Sequence, residues 1–381
     1  MSKQNLVDAT NFIVPVWGEK YVNEFLEIGL RSCLTENNFP CLPQSPRSCL
    51  RIITEFTDLH SIESNPLINK AQEYLDVEIL ILENLKSSYK YDGMRKSHIY
   101  GMSKSPRYAY NVFLCADNFM GDSVIPFLLK KQHTKWKAVM GLGLCVQKPE
   151  FENFLNNQYF SEGKTNQKDA LLRAMLECRH SYLRNIDVQN NQGRLSLSSC
   201  LIWFFEQGFI THGHYLHPIM VAYPDNDSYL DHYGTIDGGD FVRRLGYRKQ
   251  DFYVVCDFKD LPFVSVDDSE RLSSYLRPDD TSCLDFFVHR NFDPQYNHIN
   301  QYFFEHKIFL NIGGDTSIES SNCINYAQTM NRLAFYDRFD WVIRASTKTK
   351  RIVFSTAKFI LLKLKLYDNV KSYIKRLGEN T

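Results

Sequence analysis

Several patterns that would identify a reaction or a location are missing from this chain of 381 residues. It contains no C-x-x-C pair, no G-x-G-x-x-G or Walker pattern, and no G-x-S-x-G, H-E-x-x-H or kinase signature. No apolar run approaches the length of about 18 residues that a membrane-spanning helix needs. The segment Met1–Asn11 is polar, so we expect no secretory signal.

Net charge is also absent, because 44 Lys and Arg residues balance 44 Asp and Glu residues. This balance gives no support to nucleic-acid binding. It conceals an asymmetry, since residues 347–377 carry nine cations and one anion. The tail is therefore strongly basic, and the remainder of the chain is acidic.

The ten cysteines do not form a disulfide framework by their spacing. Most stand singly in apolar runs, as in Phe113-Leu114-Cys115. Buried free thiols in a reducing compartment are the simplest interpretation, so we expect a cytoplasmic protein.

The first 150 residues alternate short apolar runs with helical patterns, which predicts β-α-β units and a largely parallel sheet. The pattern also predicts a single strand over 137–146, a helix over 195–207 and an irregular loop over 208–240. The predicted strands of the sheet are Asn11–Val16, Leu50–Thr54, Val77–Leu82, Asn111–Ala116 and Asp251–Cys256.

The ends of the first two predicted strands carry residues suited to a nucleoside. Ligands bind beyond the carboxyl ends of parallel strands. Pro15, Val16 and Trp17 stand at this position, where backbone groups and an aromatic wall suit a nucleobase. Thr54 to Asp58 ends the second strand with acidic residues that can accept hydrogen bonds. An ordinary strand-to-helix turn is the alternative interpretation of each segment.

Asp117 directly follows the apolar run Tyr110–Ala116 and is expected at the mouth of the sheet. Mg²⁺ or Mn²⁺ bridging a diphosphate uses one or two such carboxylates, with phosphate oxygens and water as further ligands. Asp122 precedes the next predicted helix, where it is either a second ligand or a helix cap.

A later segment carries histidines and carboxylates close together. His212, His214 and His217 lie within six residues, but their spacing lacks the framework of a structural zinc site. Tyr233–Asp240 ends in Asp-Gly-Gly-Asp, which presents Asp237 between small residues. This segment is either a functional carboxylate site or an ordinary tight turn.

With these segments in order, residues 11 to about 260 resemble GT-A-type glycosyltransferases of bacterial surface-polysaccharide biosynthesis, which use nucleotide-sugar donors. The resemblance rests on Phe12–Val22, on the strand that ends at Asp117 with Gly121-Asp122 after it, and on the strand Ala138–Val146. It implies an α/β fold with a mostly parallel, nucleotide-binding sheet flanked by helices and a largely helical C-terminal part. The expected divisions are a catalytic domain over 1–260, a mainly helical region over 261–346 and a basic amphipathic tail over 347–381.

Carried onto this sequence, the resemblance implies roles for individual residues. Asp117 would hold a divalent metal or the donor's ribose and phosphate, and Asp237 would be the catalytic base facing the acceptor. His217, or else His214, would contact the metal or phosphate, and Asp122 would be a further metal contact. The implied donor-binding residues are Pro15, Val16, Trp17, Thr54, Asp58 and Asp117.

The sequence departs from the family at the metal-binding motif. The family's usual Asp-x-Asp is here Cys115-Ala116-Asp117, which retains only the final acid. Metal dependence is therefore open, because His, Arg or Lys side chains can also stabilise the leaving diphosphate. Two other functions remain open: a sugar-phosphate phosphotransferase, and a non-catalytic relative that binds glycans or membranes.

The basic tail has apolar residues near one helical stripe, with six cations around them. Such a helix can lie on an anionic membrane, to which each cation contributes about 1 kcal/mol. We therefore expect a peripheral protein at the inner membrane acting on a glycan or lipid-linked acceptor. An amphipathic helix packed on the domain is the alternative.

Overall fold

The computed structural model describes residues 9–85, 91–107, 109–132, 134–160, 167–181, 183, 187–188, 200–224, 226–268, 298–312 and 326. The basic tail and most of 269–346 lie outside these residues, so the expectations about them stay predictions. No helix in the described ranges is long and apolar enough to span a membrane.

The described strands form a sheet of seven and two sheets of three. The strands are β1 Thr10–Pro15, β2 Cys49–Thr54, β3 Asp76–Ile81, β4 Tyr110–Phe113, β5 Asn118–Met120, β6 Ala138–Gly141, β7 Leu144–Gln147, β8 Cys200–Phe205, β9 Gly208–Gly213, β10 His217–Ala222, β11 Phe252–Val254, β12 Phe263–Asp267 and β13 Ile308–Asn311. The helices are α1 Glu19–Glu24, α2 Arg31–Cys33, α3 Leu59–Glu63, α4 Pro66–Gln72, α5 Asp92–Ser103, α6 Val124–Gln132, α7 Lys148–Phe154, α8 Gln167–Glu177, α9 Gly239–Arg244 and α10 His298–Phe304. Two π-helical turns, Phe25–Leu30 and Leu155–Tyr159, continue α1 and α7.

The seven-stranded sheet has the order β11-β6-β10-β4-β1-β2-β3. Its strands run parallel except β10, which is antiparallel to both neighbours. The expected α/β fold, with a mostly parallel sheet flanked by helices, is confirmed. The carboxyl ends of β1, β2 and β4 consequently meet at one edge, where the antiparallel β10 begins.

The inner strands of this sheet are buried on both faces, whereas the edge strand β3 is partly exposed. Along β1, Phe12 and Val14 pack into one hydrophobic cluster and Ile13 packs into another, because successive side chains point to opposite faces. The first cluster includes residues of α1, α4 and α6, and the second includes residues of α5, α9 and α10. Burial on both faces explains why the sequences of these strands are continuous apolar runs rather than alternating apolar and polar residues.

Three element predictions are wrong in the described chain. Residues 137–146 form two strands, β6 and β7, which belong to different sheets. The helix expected over 195–207 is instead the strand β8, and the loop expected over 208–240 contains β9 and β10. A short apolar run suits a buried strand as well as a buried helix, and here pairing between β8 and β9 decides for the strand.

Described segments on the two sides of residue 260 pair with one another. Strand β12 pairs with β5 and β7, and β13 pairs with β9. Helix α10 contributes Ile299 and Phe303 to the cluster beneath the main sheet. Described segments after residue 260 therefore complete the core that the earlier segments begin.

Candidate active site

His217 and Asp237 form a close pair at the carboxyl edge of the main sheet. His217 Nδ1 lies 2.7 Å from Oδ1 of Asp237, and its Nε2 lies 3.1 Å from the carbonyl oxygen of Phe113 at the end of β4. A carbonyl oxygen only accepts hydrogen bonds, so Nε2 carries a proton, and Nδ1 donates to the ionised carboxylate. This arrangement favours the doubly protonated imidazolium form of His217.

The pKa shifts of the two residues agree with this ion pair. Burial disfavours the charged imidazole, but the hydrogen bond and the charge of Asp237 outweigh it and raise the pKa of His217. Partial burial likewise disfavours the charged Asp237, but His217 and the Thr235 hydroxyl, 2.8 Å from Oδ2, lower the pKa of its carboxyl. The Asp237 side chain is 42% exposed, so an ionised carboxylate faces solvent at this edge.

Beneath the pair lies a second, neutral histidine. His98 of α5 is fully buried and its Nε2 donates to the carbonyl oxygen of Leu114, 2.8 Å away. Burial lowers its pKa to about 4, and the neighbouring His217 charge acts in the same direction. His98 thus supports the turn after β4 without adding charge.

Asp117 stands on the turn that follows β4. The backbone N–H of Cys115 donates to Asn118 Oδ1 at 2.7 Å, and the Ser265 hydroxyl of β12 donates to Asp117 Oδ2 at 2.7 Å. Burial raises the pKa of Asp117 to about 6, the Ser265 hydrogen bond opposes the rise, and Glu24 adds to it. This carboxyl is consequently easier to protonate than an ordinary aspartate.

Asp117, His217 and Asp237 lie close enough to influence one another. The charge of Asp117 contributes to the raised pKa of His217. Cys115 lies within reach of both carboxylates, and burial together with the charges of Asp117 and Asp237 raises its thiol pKa well above the ordinary value. Three of the residues singled out in the sequence are therefore electrostatically coupled, although 120 positions separate the first from the last.

The Trp17 turn lies at the adjacent strand end. Gly18 has φ 79° and donates its backbone N–H to Asp58 Oδ2 at 2.8 Å, which joins the ends of β1 and β2. The Trp17 ring is half-buried and packs on Gly93 at the start of α5, where an added Cβ would lie 3.2 Å from the ring. Trp17 and Asp58 are therefore placed as the sequence predicts, with partly accessible side chains.

The other expected donor contacts are buried. Val16 and Thr54 have no exposed side-chain surface, and Pro15 is buried as well. Their side chains fill the core, so only their backbone atoms are available to a ligand. The sequence pattern locates these residues at the edge of the sheet but does not reveal which atoms face outwards.

Asp122 and His214 make their contacts away from the His217–Asp237 pair. Asp122 Oδ2 accepts a hydrogen bond from the Asn37 amide at 2.7 Å. His214 is buried, its ring is stacked on Phe304 of α10 at 4.4 Å, and its Nδ1 lies 3.3 Å from the carbonyl oxygen of Asn300. Asp122 therefore orders a loop, and His214 packs a helix against β9.

The described residues do not fit a metal site built from protein ligands alone. Across the described ranges, no group of three His, Cys, Asp or Glu side chains could hold a metal ion. Both ring nitrogens of His217 are engaged as donors, so it cannot ligate a cation in this arrangement. Asp117 offers a single carboxylate, so a cation at this position would need further ligands from a bound donor.

A charged cluster beside Asp117 was not anticipated. Glu24 is only 2% exposed, and its Oε1 lies 3.0 Å from Lys148 Nζ and 3.5 Å from Lys20 Nζ. Lys20 Nζ also lies 2.8 Å from Asp268. The i,i+4 spacing of Lys20 and Glu24 signals one pair in the sequence. The contact with Lys148 depends on the tertiary fold.

No family model matches the sequence, and no curated protein sequence matches it. Among solved structures, the chain is similar to S. aureus TarS, with 13% identity and a TM-score of 0.25 over 42% of this chain and 23% of that one. It is also similar to the apo form of mouse xyloside xylosyltransferase 1, with 12% identity and a TM-score of 0.28 over 41% of this chain and 60% of that one. Each likeness covers less than half of this chain and less than two thirds of the other.

Proposed function

We propose that this protein is a glycosyltransferase of the GT-A type, which moves a sugar from a nucleotide-sugar donor to a glycan or lipid-linked acceptor in bacterial surface-polysaccharide assembly. The observation that carries the proposal is the meeting of Asp117, His217 and Asp237 at the carboxyl edge of a mostly parallel sheet, beside the Trp17–Asp58 turn. Ligands of open α/β sheets bind at this edge.

The nucleoside is assigned to the Trp17 side of the edge. The half-buried indole offers an aromatic surface for a base, and the Asp58 carboxylate accepts hydrogen bonds from a base or ribose. The diphosphate then points towards Asp117 and His217. The imidazolium of His217 attracts the negative charge that grows on the leaving phosphate, and it is held in place by Asp237 and Phe113.

Asp237 is assigned to the acceptor. Its ionised carboxylate accepts the proton of the acceptor hydroxyl, while the bond from the sugar's anomeric carbon to the phosphate oxygen breaks and a bond to the acceptor oxygen forms. The pair of electrons in the broken bond leaves with the nucleotide. The lowered pKa of Asp237 keeps its carboxylate ionised at neutral pH and therefore able to accept that proton.

The proposal includes a divalent cation only if the bound donor supplies ligands to it. Asp117 would supply its one carboxylate ligand, with diphosphate oxygens and water in the remaining positions. The cation would neutralise charge on the leaving group. His217 is the protein's own positive charge at this edge, while Lys20 and Lys148 pair with Glu24, whose charge acts on Asp117.

Residues 347–381 are proposed to hold the enzyme at the anionic surface of the inner membrane, where lipid-linked acceptors reside. The support for this part is the excess of Lys and Arg among apolar residues at helical spacing. It predicts cosedimentation of the full chain with vesicles containing anionic lipid, and loss of cosedimentation at high salt.

A nucleotide screen tests the proposal. Thermal unfolding is measured with UDP, GDP, CMP, dTDP and ADP, with and without Mn²⁺, for the wild type, Asp117→Asn and the matched control Asp122→Asn. A nucleotide at 100 times its Kd stabilises by about 2.7 kcal/mol. We expect one nucleotide to stabilise the wild type and Asp122→Asn but not Asp117→Asn. No stabilisation of a folded wild type by any nucleotide would refute the proposal.

A product assay then separates the proposed reaction from phosphoryl transfer. The matching nucleotide-sugar is incubated with the enzyme, and released nucleotide is measured by chromatography. Sugar transfer releases a free nucleotide with no phosphate added to a sugar, whereas a phosphotransferase yields a phosphorylated sugar. The second product would overturn the assignment while leaving the nucleotide site intact.

A further inference from the structure

A cavity of about 530 Å³ opens on the helical side of the molecule, away from the His217–Asp237 pair. Four of its lining residues are polar and four are apolar. They are Glu27, Arg31, Glu152 and Asn156, together with Ile28, Leu67, Leu155 and Phe160. Its volume lies within the range of about 300–1,000 Å³ that is typical of small-molecule sites.

Both π-helical turns of the described chain line this cavity. The turn Phe25–Leu30 contributes Glu27 and Ile28, and the turn Leu155–Tyr159 contributes Leu155 and Asn156. The backbone N–H of Phe160 donates to the carbonyl oxygen of Leu155 at 2.8 Å, a bond of the wide π type. Such turns are rare and often mark functional sites, because they change the direction of the side chains that follow. Two of them at one cavity indicate a built site.

The polar side chains offer both donors and acceptors. The Arg31 guanidinium lies 4.1 Å from the centre of the Phe160 ring, and its Nη1 lies 3.3 Å from Asn156 Oδ1. Glu27 and Glu152 place carboxylates at the same cavity. Burial raises the pKa of Glu152, and the charges of Glu27 and Glu24 add to the rise against the opposing charge of Lys148.

This arrangement selects against charged ligands. An anion would meet the carboxylates of Glu27 and Glu152, and a cation would meet the guanidinium of Arg31. Hydroxyl groups both donate and accept hydrogen bonds, so a neutral polyhydroxylated ligand satisfies the carboxylates, the guanidinium and the Asn156 amide together. The apolar walls formed by Ile28, Leu67 and Leu155 suit the C–H faces of a sugar ring.

From these observations we infer that the cavity binds a neutral sugar unit. This inference does not depend on the proposed transferase activity, because its residues are separate from Asp117, His217 and Asp237. The first π-helical turn nevertheless packs against the turn that carries Asp117. Gly29 of the first π-helical turn approaches the turn that carries Asp117 so closely that an added Cβ would lie 3.3 Å from the Ala116 carbonyl oxygen.

Direct binding to sugars tests the inference. Saturation-transfer NMR and calorimetry are carried out on the full chain with glucose, galactose and N-acetylglucosamine, and with glucosamine and glucuronate as charged counterparts. We expect binding of at least one neutral sugar and weaker binding of its charged counterparts. Asn156→Ala should weaken that binding about tenfold because it removes a hydrogen bond, and Glu27→Gln should weaken it similarly because it replaces a charged acceptor with a neutral amide.

Two controls make the outcome specific. Glu73→Gln removes an exposed carboxylate outside the cavity and should not change sugar binding. Glu27 and Asn156 are exposed, so their variants should keep the wild-type melting temperature. Absence of neutral-sugar binding, or binding insensitive to both cavity variants, would overturn the inference. The nucleotide screen on the same samples reports the proposed function separately.

Discussion

His217 Nδ1 lies 2.7 Å from Asp237 Oδ1, although 20 residues separate them in the sequence. The contact forms because β10 begins at the edge where β4 ends, and the loop after β10 returns to that edge. It stabilises the positively charged form of a histidine that resembled a metal ligand. It also keeps an accessible carboxylate ionised and oriented.

The first prediction concerns Asp237→Asn. Removing the carboxylate removes the main influence that raises the pKa of His217, so burial then dominates and the imidazole pKa falls below that of the wild type. NMR titration of the imidazole C–H signals measures the change. Transferase activity should fall about 10²- to 10⁴-fold. Asp240→Asn, three residues further along in α9 and paired with Arg243, should leave the His217 titration unchanged.

The same pair predicts a pH dependence of stability. The folded-state pKa of His217 is raised, so its stabilising contribution is fully present below the unfolded pKa of about 6.5 and is lost as the pH rises through the folded pKa. The difference in unfolding free energy between the wild type and Asp237→Asn should therefore shrink from pH 6 to pH 9, as measured by urea denaturation. A difference that grows with pH would contradict the ion pair.

The second prediction concerns Asp117→Asn. Burial raises the pKa of Asp117 to about 6, so the folded state holds a proton that the unfolded state releases from about pH 3.9 upwards. The wild type therefore loses stability as the pH rises from about 3.9 to about 6. The neutral amide of Asp117→Asn avoids this loss, so it should raise the unfolding free energy at pH 7.5 by about 1–2 kcal/mol. At pH 3.5 the gain should disappear, which thermal unfolding at the two pH values can check.

The third prediction concerns Gly93→Ala. An added Cβ would lie 2.2 Å from the Leu85 carbonyl oxygen and 3.2 Å from the Trp17 ring. We expect a loss of about 1–3 kcal/mol in unfolding free energy and a changed tryptophan emission spectrum. Gly213→Ala is the matched control, because its nearest contact would be an ordinary 3.5 Å. Equal stability of the two variants would contradict the close approach at Gly93.

The fourth prediction concerns the buried carboxylate of Glu24. Lys148→Met removes its nearer cation and leaves only Lys20 at 3.5 Å, so the variant should lose about 2–3 kcal/mol in unfolding free energy. The double variant Lys148→Met/Glu24→Gln should recover much of the loss, because the unpaired buried charge is then gone. A double-mutant cycle in urea denaturation measures the coupling, and additive losses would exclude it.

Part of the candidate site can be predicted from the sequence, because ligands bind beyond the carboxyl ends of parallel strands. That rule locates Trp17, Asp58 and Asp117 at one edge without any knowledge of the other strands. It does not distinguish exposed from buried side chains, which is why the buried residues Pro15, Val16 and Thr54 were also predicted to line the pocket. The sequence does not reveal Lys148 or Ser265 as site residues. Each hydrogen-bonds to a residue more than 100 positions away, Glu24 and Asp117 respectively.

The apolar runs of the sequence by themselves determined the first strands and helices and hence the parallel half of the sheet, since burial on both faces demands continuous hydrophobic strands. Tertiary structure alone decided that 200–213 forms a hairpin, that 137–146 divides between two sheets and that β10 runs against its neighbours. The reason is that a short apolar segment is compatible with more than one buried conformation, and its hydrogen-bonding partners, distant in sequence, select one of them. That selection also places His217 against Asp237.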